Sequence, residues 1–129
     1  MARSGLCRLS PAQALQAMCS GAALIDIRCD SQIAQDGTIA GALIIARNVL
    51  EWRLDPASQH RHSQAPRLGD RVIILCDQGY QSSLAAATLK QLGFAHASDV
   101  DGGFQAWREA GLPVNLPGGS WQRTSGSAR

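Results

Sequence analysis

Residues 72–75, VIIL, form an unbroken aliphatic run that ends on a cysteine, Cys76. A strand with one wet face alternates polar and apolar residues. A short continuous apolar run bounded by turn and helix signals instead fits a strand covered on both faces. That requirement points to helices sandwiching a sheet, and the rest of the chain supplies the parts.

Ser10, Pro11 and Gln13 form a capping-box pattern, with Ser at the N-cap, Pro at the first helical position and Gln two residues further on. Leu15, Met18 and Cys19 follow as a short apolar face, and Gly21 closes the helix. Residues 23–27 (ALIDI) and 41–46 (GALIIA) read as further short strands, the second introduced by Gly37 and Gly41. Residues 48–54 place Val49, Trp52 and Arg53 at helical spacing before Asp55 and Pro56 stop them, and residues 56–70 form one long polar loop. Residues 82–93 read as a helix with Ala85, Leu89 and Leu92 on one side and Gly93 at its end. Residues 96–100 are a weaker strand, and residues 102–111 a last helix with Phe104 and Trp107 as core, Gly111 at its end and Pro113 behind it. Strands alternating with helices define an α/β class: a central, mostly parallel sheet of about five strands with helices on both faces. One domain is expected over residues 10–114, followed by a Gly/Ser/Arg-rich tail, 115–129, expected to be flexible.

Composition excludes several functions. Net charge is +2, and the basic residues, all Arg except Lys90, are scattered without a stripe, so no nucleic-acid partner is implied. No segment approaches the roughly 18 apolar residues of a membrane span, so no membrane partner is expected either. Cys7, Cys19, Cys29 and Cys76 are too widely spaced for a C-x-x-C metal or dithiol motif. They read as free thiols in a chain long enough to build a normal core, and a reducing cytoplasm is the expected location. His60 and His62 lie in the polar loop, and two histidines alone do not make a metal site. No metal and no cofactor is expected.

Cys76 stands at the carboxyl end of the most hydrophobic strand, where sites form in open α/β sheets. The residues after it lead into a helix N-terminus, whose N–H groups lack partners and whose dipole favours negative charge. A thiol so placed is favoured as a nucleophilic thiolate. The same N–H groups would hold an anionic sulfur adduct, and Gly79 permits the positive φ of a tight cradle. Against this stands the reading of Cys76 as a small buried hydrophobe ending a strand.

Four blocks, in order, carry a resemblance. Residues 24–28 (LIDIR) resemble an Asp-x-Arg signature, and residues 36–45 (DGTIAGALII) a Gly-His-Ile-x-Gly-Ala block with Thr38 in place of the His. Residues 76–82 (CDQGYQS) resemble an active-site loop Cys-x-x-Gly-x-Arg-Ser, and residues 101–114 (DGGFQAWREAGLPV) a closing helix with its Gly-Leu-Pro-Val exit. Together they resemble the single-domain rhodanese family of sulfurtransferases, and residues 46–58 resemble a bacterial subgroup of it.

The resemblance implies a rhodanese-like fold and an enzyme that moves sulfane sulfur from a donor (thiosulfate, 3-mercaptopyruvate or a persulfide) through a Cys76 persulfide. The acceptor would be a thiol or a cyanide-like nucleophile, or a sulfur-relay protein. It implies an anion cradle from the backbone of Asp77, Gln78, Gly79, Tyr80, Gln81 and Ser82, and structural roles for Asp26 and Arg28 near the loop. Cysteine-dependent phosphatases of related fold need Arg six positions after the cysteine, where this chain has Ser82. The usual loop Arg is replaced by Gln81, and Asp77 follows the cysteine directly, so dianionic thiosulfate is expected to be a poor donor. Arg47 and Arg53 are the candidates for charge at the pocket mouth. The alternative is a non-enzymatic rhodanese-like module that binds a partner or senses oxidants; an intact Cys76 and Gly79 favour the enzyme.

Overall fold

A computed structural model describes residues 8–116 and 121–123 of the chain. Its centre is β3 (Val72–Leu75), buried along its whole length. β1 (Ala23–Asp26) and β4 (Ala97–Asp99) pair with β3 on either side, and β2 (Leu43–Ile44) pairs with β1, giving a parallel sheet of order β2-β1-β3-β4. Side chains alternate across this sheet. Val72, Ile74 and Cys76 face a cluster with Leu50 and Leu54 of α3 (Leu50–Leu54) and Ala85, Ala86 and Leu89 of α4 (Tyr80–Leu92). Ile73 and Leu75 face the opposite cluster, with Ala14 and Ala17 of α1 (Pro11–Cys19) and Phe104 and Trp107 of α5 (Gly103–Glu109). Each fully buried aliphatic side chain of β3 stabilises the sandwich by roughly 1.5–3 kcal/mol.

The sheet has four strands, with one parallel bridge, Leu9 to Val100, beside β4. A full fifth strand cannot develop there, because Ser10 already caps α1 and Pro11 has no N–H to donate. The capping box forms as read: Gln13 N–H donates to Ser10 Oγ, and Ser10 N–H to Gln13 Oε1. Of the expected apolar face of α1, Leu15 and Met18 are half-buried and pack against the core beside the buried Ala14 and Ala17, whereas Cys19 is exposed. Residues 47–49 form a 3₁₀ turn leading into α3, which buries Leu50 and Leu54 and leaves Trp52 51% exposed, its ring 4.2 Å from that of His60.

A helix that periodicity did not signal, α2 (Asp30–Asp36), buries no residue. Asn115 belongs to β5 (Pro113–Asn115), bridges Thr38, and pairs antiparallel with β6 (Trp121–Arg123). The remaining tail positions, 117–120 and 124–129, lie outside the described residues, as does Cys7. At the other end the described residues include Arg8 and Leu9, with Leu9 N–H donating to the Asp99 carbonyl at 2.9 Å.

Candidate active site

Cys76 leaves the carboxyl end of β3 with its side chain turned into the protein, and the residue is 4% exposed. Two backbone groups aim at its sulfur: Gly79 N–H at 3.1 Å and Ser82 N–H at 3.3 Å. This arrangement needs the loop to turn its N–H groups inward while its carbonyls find partners elsewhere. They do. Phe104 N–H donates to the Cys76 carbonyl at 2.8 Å and Gln105 N–H to that of Asp77 at 3.0 Å, so the first turn of α5 clamps the loop from behind. The Gly79 carbonyl accepts from the Arg8 guanidinium.

Glycine is required where the two segments press together. Gly79 sits at φ +89°, and a Cβ there would lie 2.6 Å from the Gly102 nitrogen. Gly103 sits at φ +64°, and its Cβ would lie 2.5 Å from the Cys76 carbonyl oxygen. The left-handed turn at Gly79 also explains why α4 starts at Tyr80, two residues before the position that side-chain pattern predicts.

Cys76 opens to a cavity of about 530 Å³ lined by Gln32, Asp77, Gln78, Tyr80, Gln81 and Leu84. The structure thus brings together Cys76 and four of the six expected loop residues. The other two, Gly79 and Ser82, are buried beneath and supply the N–H donors. Asp77 is the one charged side chain among these lining residues, and its carboxylate is held by Gln105 Nε2 at 2.9 Å.

Asp26 and Arg28 form a fully buried ion pair at 2.7 Å. Arg28 also donates to the Gly37 carbonyl at 2.7 Å and lies 3.9 Å over the Phe104 ring, so the pair braces the helix that clamps the loop. Arg47 and Arg53 are not among the residues that line the cavity. Arg47 pairs with Glu51 at 2.9 Å one turn along, and Arg53 donates to the His60 carbonyl. Local helix and loop partners capture both.

Sequence reasoning missed Gln32, Leu84, Arg8 and Asp99. Leu84 carried a usable signal, lying one helical turn after Tyr80. The others are brought in by strand ends and by α2, which no pattern announced. Among the described residues no cluster of three His, Cys, Asp or Glu could hold a metal, and no helix is long and apolar enough to cross a membrane.

Cys19, Cys29 and Cys76 are free thiols. The exposed Cys29 caps α2, and a hydrogen bond with the Ser31 hydroxyl, aided by the Gln32 N–H, holds its pKa below the usual thiol value. A lowered pKa means more thiolate at neutral pH. Cys29 is therefore expected to alkylate faster than the exposed Cys19 at pH 7, with Ser31→Ala removing most of the difference. Peptide-resolved iodoacetamide labelling over time checks this; equal rates in the native protein would refute it.

The sequence matches the Rhodanese-like domain family over residues 10–110. The thiosulfate sulfurtransferase GlpE of Pseudomonas entomophila is 36% identical over 101 residues, covering 78% of this chain and 84% of the relative. Among solved structures, a human single-domain sulfurtransferase superposes with a TM-score of 0.69 at 30% identity, over 81% of this chain and 97% of the other. A protein of unknown function from Rhodopseudomonas palustris, described as a possible tyrosine phosphatase, superposes with a TM-score of 0.80 at 33% identity, over 88% and 87%.

Proposed function

The chain belongs to the rhodanese-like domain family and is a rhodanese-type sulfurtransferase, and from that premise we propose that Cys76 carries sulfane sulfur as a persulfide between a small donor and a thiophilic acceptor. The observation that carries this reading is the pair of backbone N–H groups directed at Cys76 Sγ, at the floor of a cavity open to small molecules. The thiolate attacks the outer sulfur of a donor such as thiosulfate, the S–S bond of the donor breaks, and sulfite leaves with the bonding pair. The persulfide anion keeps its charge among the loop N–H groups. A thiol or cyanide-like nucleophile then attacks the terminal sulfur and Cys76 leaves as thiolate, so the cycle is ping-pong and needs no external oxidant.

A phosphatase reading, raised by the Rhodopseudomonas neighbour, lacks support at this site. The position where a phosphate-binding Arg would stand is Ser82, whose hydroxyl donates to Asp99 at 2.7 Å, and among the described residues no guanidinium lines the cavity.

Intact mass tests the assignment. Incubation with thiosulfate, 3-mercaptopyruvate or polysulfide is expected to add one sulfur atom, located on Cys76 by peptide mapping and removed by cyanide. Sulfur on another residue, or none with any donor, would sink the reading.

Among the described residues the lining has Asp77 and no cation, so uncharged or singly charged persulfide donors are favoured over the thiosulfate dianion. Gln81→Arg should then raise kcat/KM for thiosulfate by about three- to fivefold, the worth of one largely exposed charge pair. A neutral persulfide donor should gain little, and the thiosulfate gain should shrink with added salt. Equal stimulation of both donors would mean that residue 81 acts through loop geometry instead of charge.

A further inference from the structure

Outside the lining of the cavity, a second set of groups converges on the loop. Arg8 donates to Asp99 through a fork, Nε to Oδ1 at 3.0 Å and Nη2 to Oδ2 at 2.9 Å, and the same Nη2 reaches the Gly79 carbonyl. Asp99, fully buried at the end of β4, also accepts the Ser82 hydroxyl at 2.7 Å. Gly79 and Ser82 are the two residues whose N–H groups face Cys76 Sγ.

We propose that Arg8 and Asp99 are a positioning pair for the nucleophile, holding in place the two residues whose N–H groups face the Cys76 sulfur. Neither residue lines the cavity, so neither touches a donor; both act through the loop. The inference rests on the reading of Cys76 as the sulfur-carrying nucleophile, but its geometry concerns the thiol itself.

The effect is one of geometry more than of charge. Arg8 faces two carboxylates, Asp99 and, at 3.3 Å, the exposed Asp101, so the group as a whole brings little net positive field to the sulfur. What it contributes is rigidity. Anchoring the Gly79 carbonyl limits rotation about the residue that donates at 3.1 Å, and anchoring the Ser82 hydroxyl fixes the first turn of α4. A preorganised donor pays no reorganisation when negative charge moves onto the sulfur. The hydrogen bond to Asp99 also raises the Arg8 pKa above its already high value, so the fork stays charged at every working pH.

The test compares Arg8→Gln, Arg8→Lys and Asp99→Asn with the native protein, all checked for native circular dichroism. Iodoacetamide alkylation of Cys76 against pH needs no sulfur donor, so it is independent of the enzymatic assignment. Loss of one charge-assisted anchor is expected to slow Cys76 alkylation at pH 7 about tenfold and to move the midpoint of its pH profile upward. In persulfide loading, kcat should fall while KM stays near its native value. Arg8→Lys keeps the charge but not the fork, and should behave like Arg8→Gln. If Asp99→Asn does not fold, Arg8→Gln and Ser82→Ala each test one arm. Folded variants with the native rate and pH profile would overturn the proposal, as would full rescue by Lys. Slowed alkylation in a protein that never accepts sulfur would leave the pair standing and remove the sulfur-carrier reading instead.

Discussion

Cys76→Ser is expected to abolish sulfur transfer completely while leaving the fold intact. The replacement is nearly isosteric, and an Oγ in the same place can accept from the Gly79 and Ser82 N–H groups that now meet the sulfur at 3.1 and 3.3 Å. Packing around a residue that is 4% exposed therefore changes little. Chemistry changes entirely. A serine hydroxyl is not ionised near neutral pH in the way a thiol can be, and it cannot store sulfane sulfur and release it to a nucleophile. Turnover with any donor should fall to the uncatalysed rate, and no donor should add mass at this position. Thermal unfolding of the variant should follow the native curve closely. Transfer that survives would mean the reacting thiol is elsewhere, with Cys29 the next residue to substitute.

Asp26→Ala should have the largest effect on stability. The Arg28 side chain is fully buried, and Asp26 accepts from its Nε and Nη2 as well as from its backbone N–H. Arg28 Nη1 has no hydrogen-bond partner among the described residues even in the native arrangement. Removing the carboxylate leaves a guanidinium in a dry environment with the Gly37 carbonyl and the Phe104 ring as its remaining neighbours on these contacts. Breaking one side of a buried pair costs about 3–5 kcal/mol, a large part of the 5–15 kcal/mol that holds a typical domain together. The urea midpoint should drop accordingly, and the site should loosen with it, because Phe104 anchors the Cys76 carbonyl. Replacing both members, Asp26→Leu with Arg28→Met, should recover much of the loss by removing the stranded charge. A single variant as stable as the native protein would show that water reaches Arg28 and that the pair is not the brace described above.

The two core clusters and the position of the candidate nucleophile were legible because each is written in adjacent residues. The VIIL run needs cover on both faces, period-two alternation divides it between the two helical layers, and Cys76 follows it directly. The capping box at Ser10 and the glycine ends of the helices at residues 93 and 111 likewise depend on neighbours three or four positions apart. Such local requirements survive whatever the rest of the chain does.

Other features exist through contacts between distant positions. α2 buries nothing, so it leaves no apolar stripe to read. Arg47 and Arg53 looked available for the pocket mouth, yet each is taken by a near neighbour, because a long flexible side chain settles on the closest acceptor that the fold offers. Arg8 and Asp99 are 91 residues apart, and Arg8 lies before the family-matched segment. Only the side-by-side placement of the Leu9 bridge, β4 and β3 brings them to the Cys76 loop. The sequence by itself determined that Cys76 directly follows the central strand and that helices enclose that strand, since both are properties of consecutive residues. Which groups hold that thiol's N–H donors was decided by the tertiary structure alone, since a charge has no partner until folding brings one within hydrogen-bonding distance.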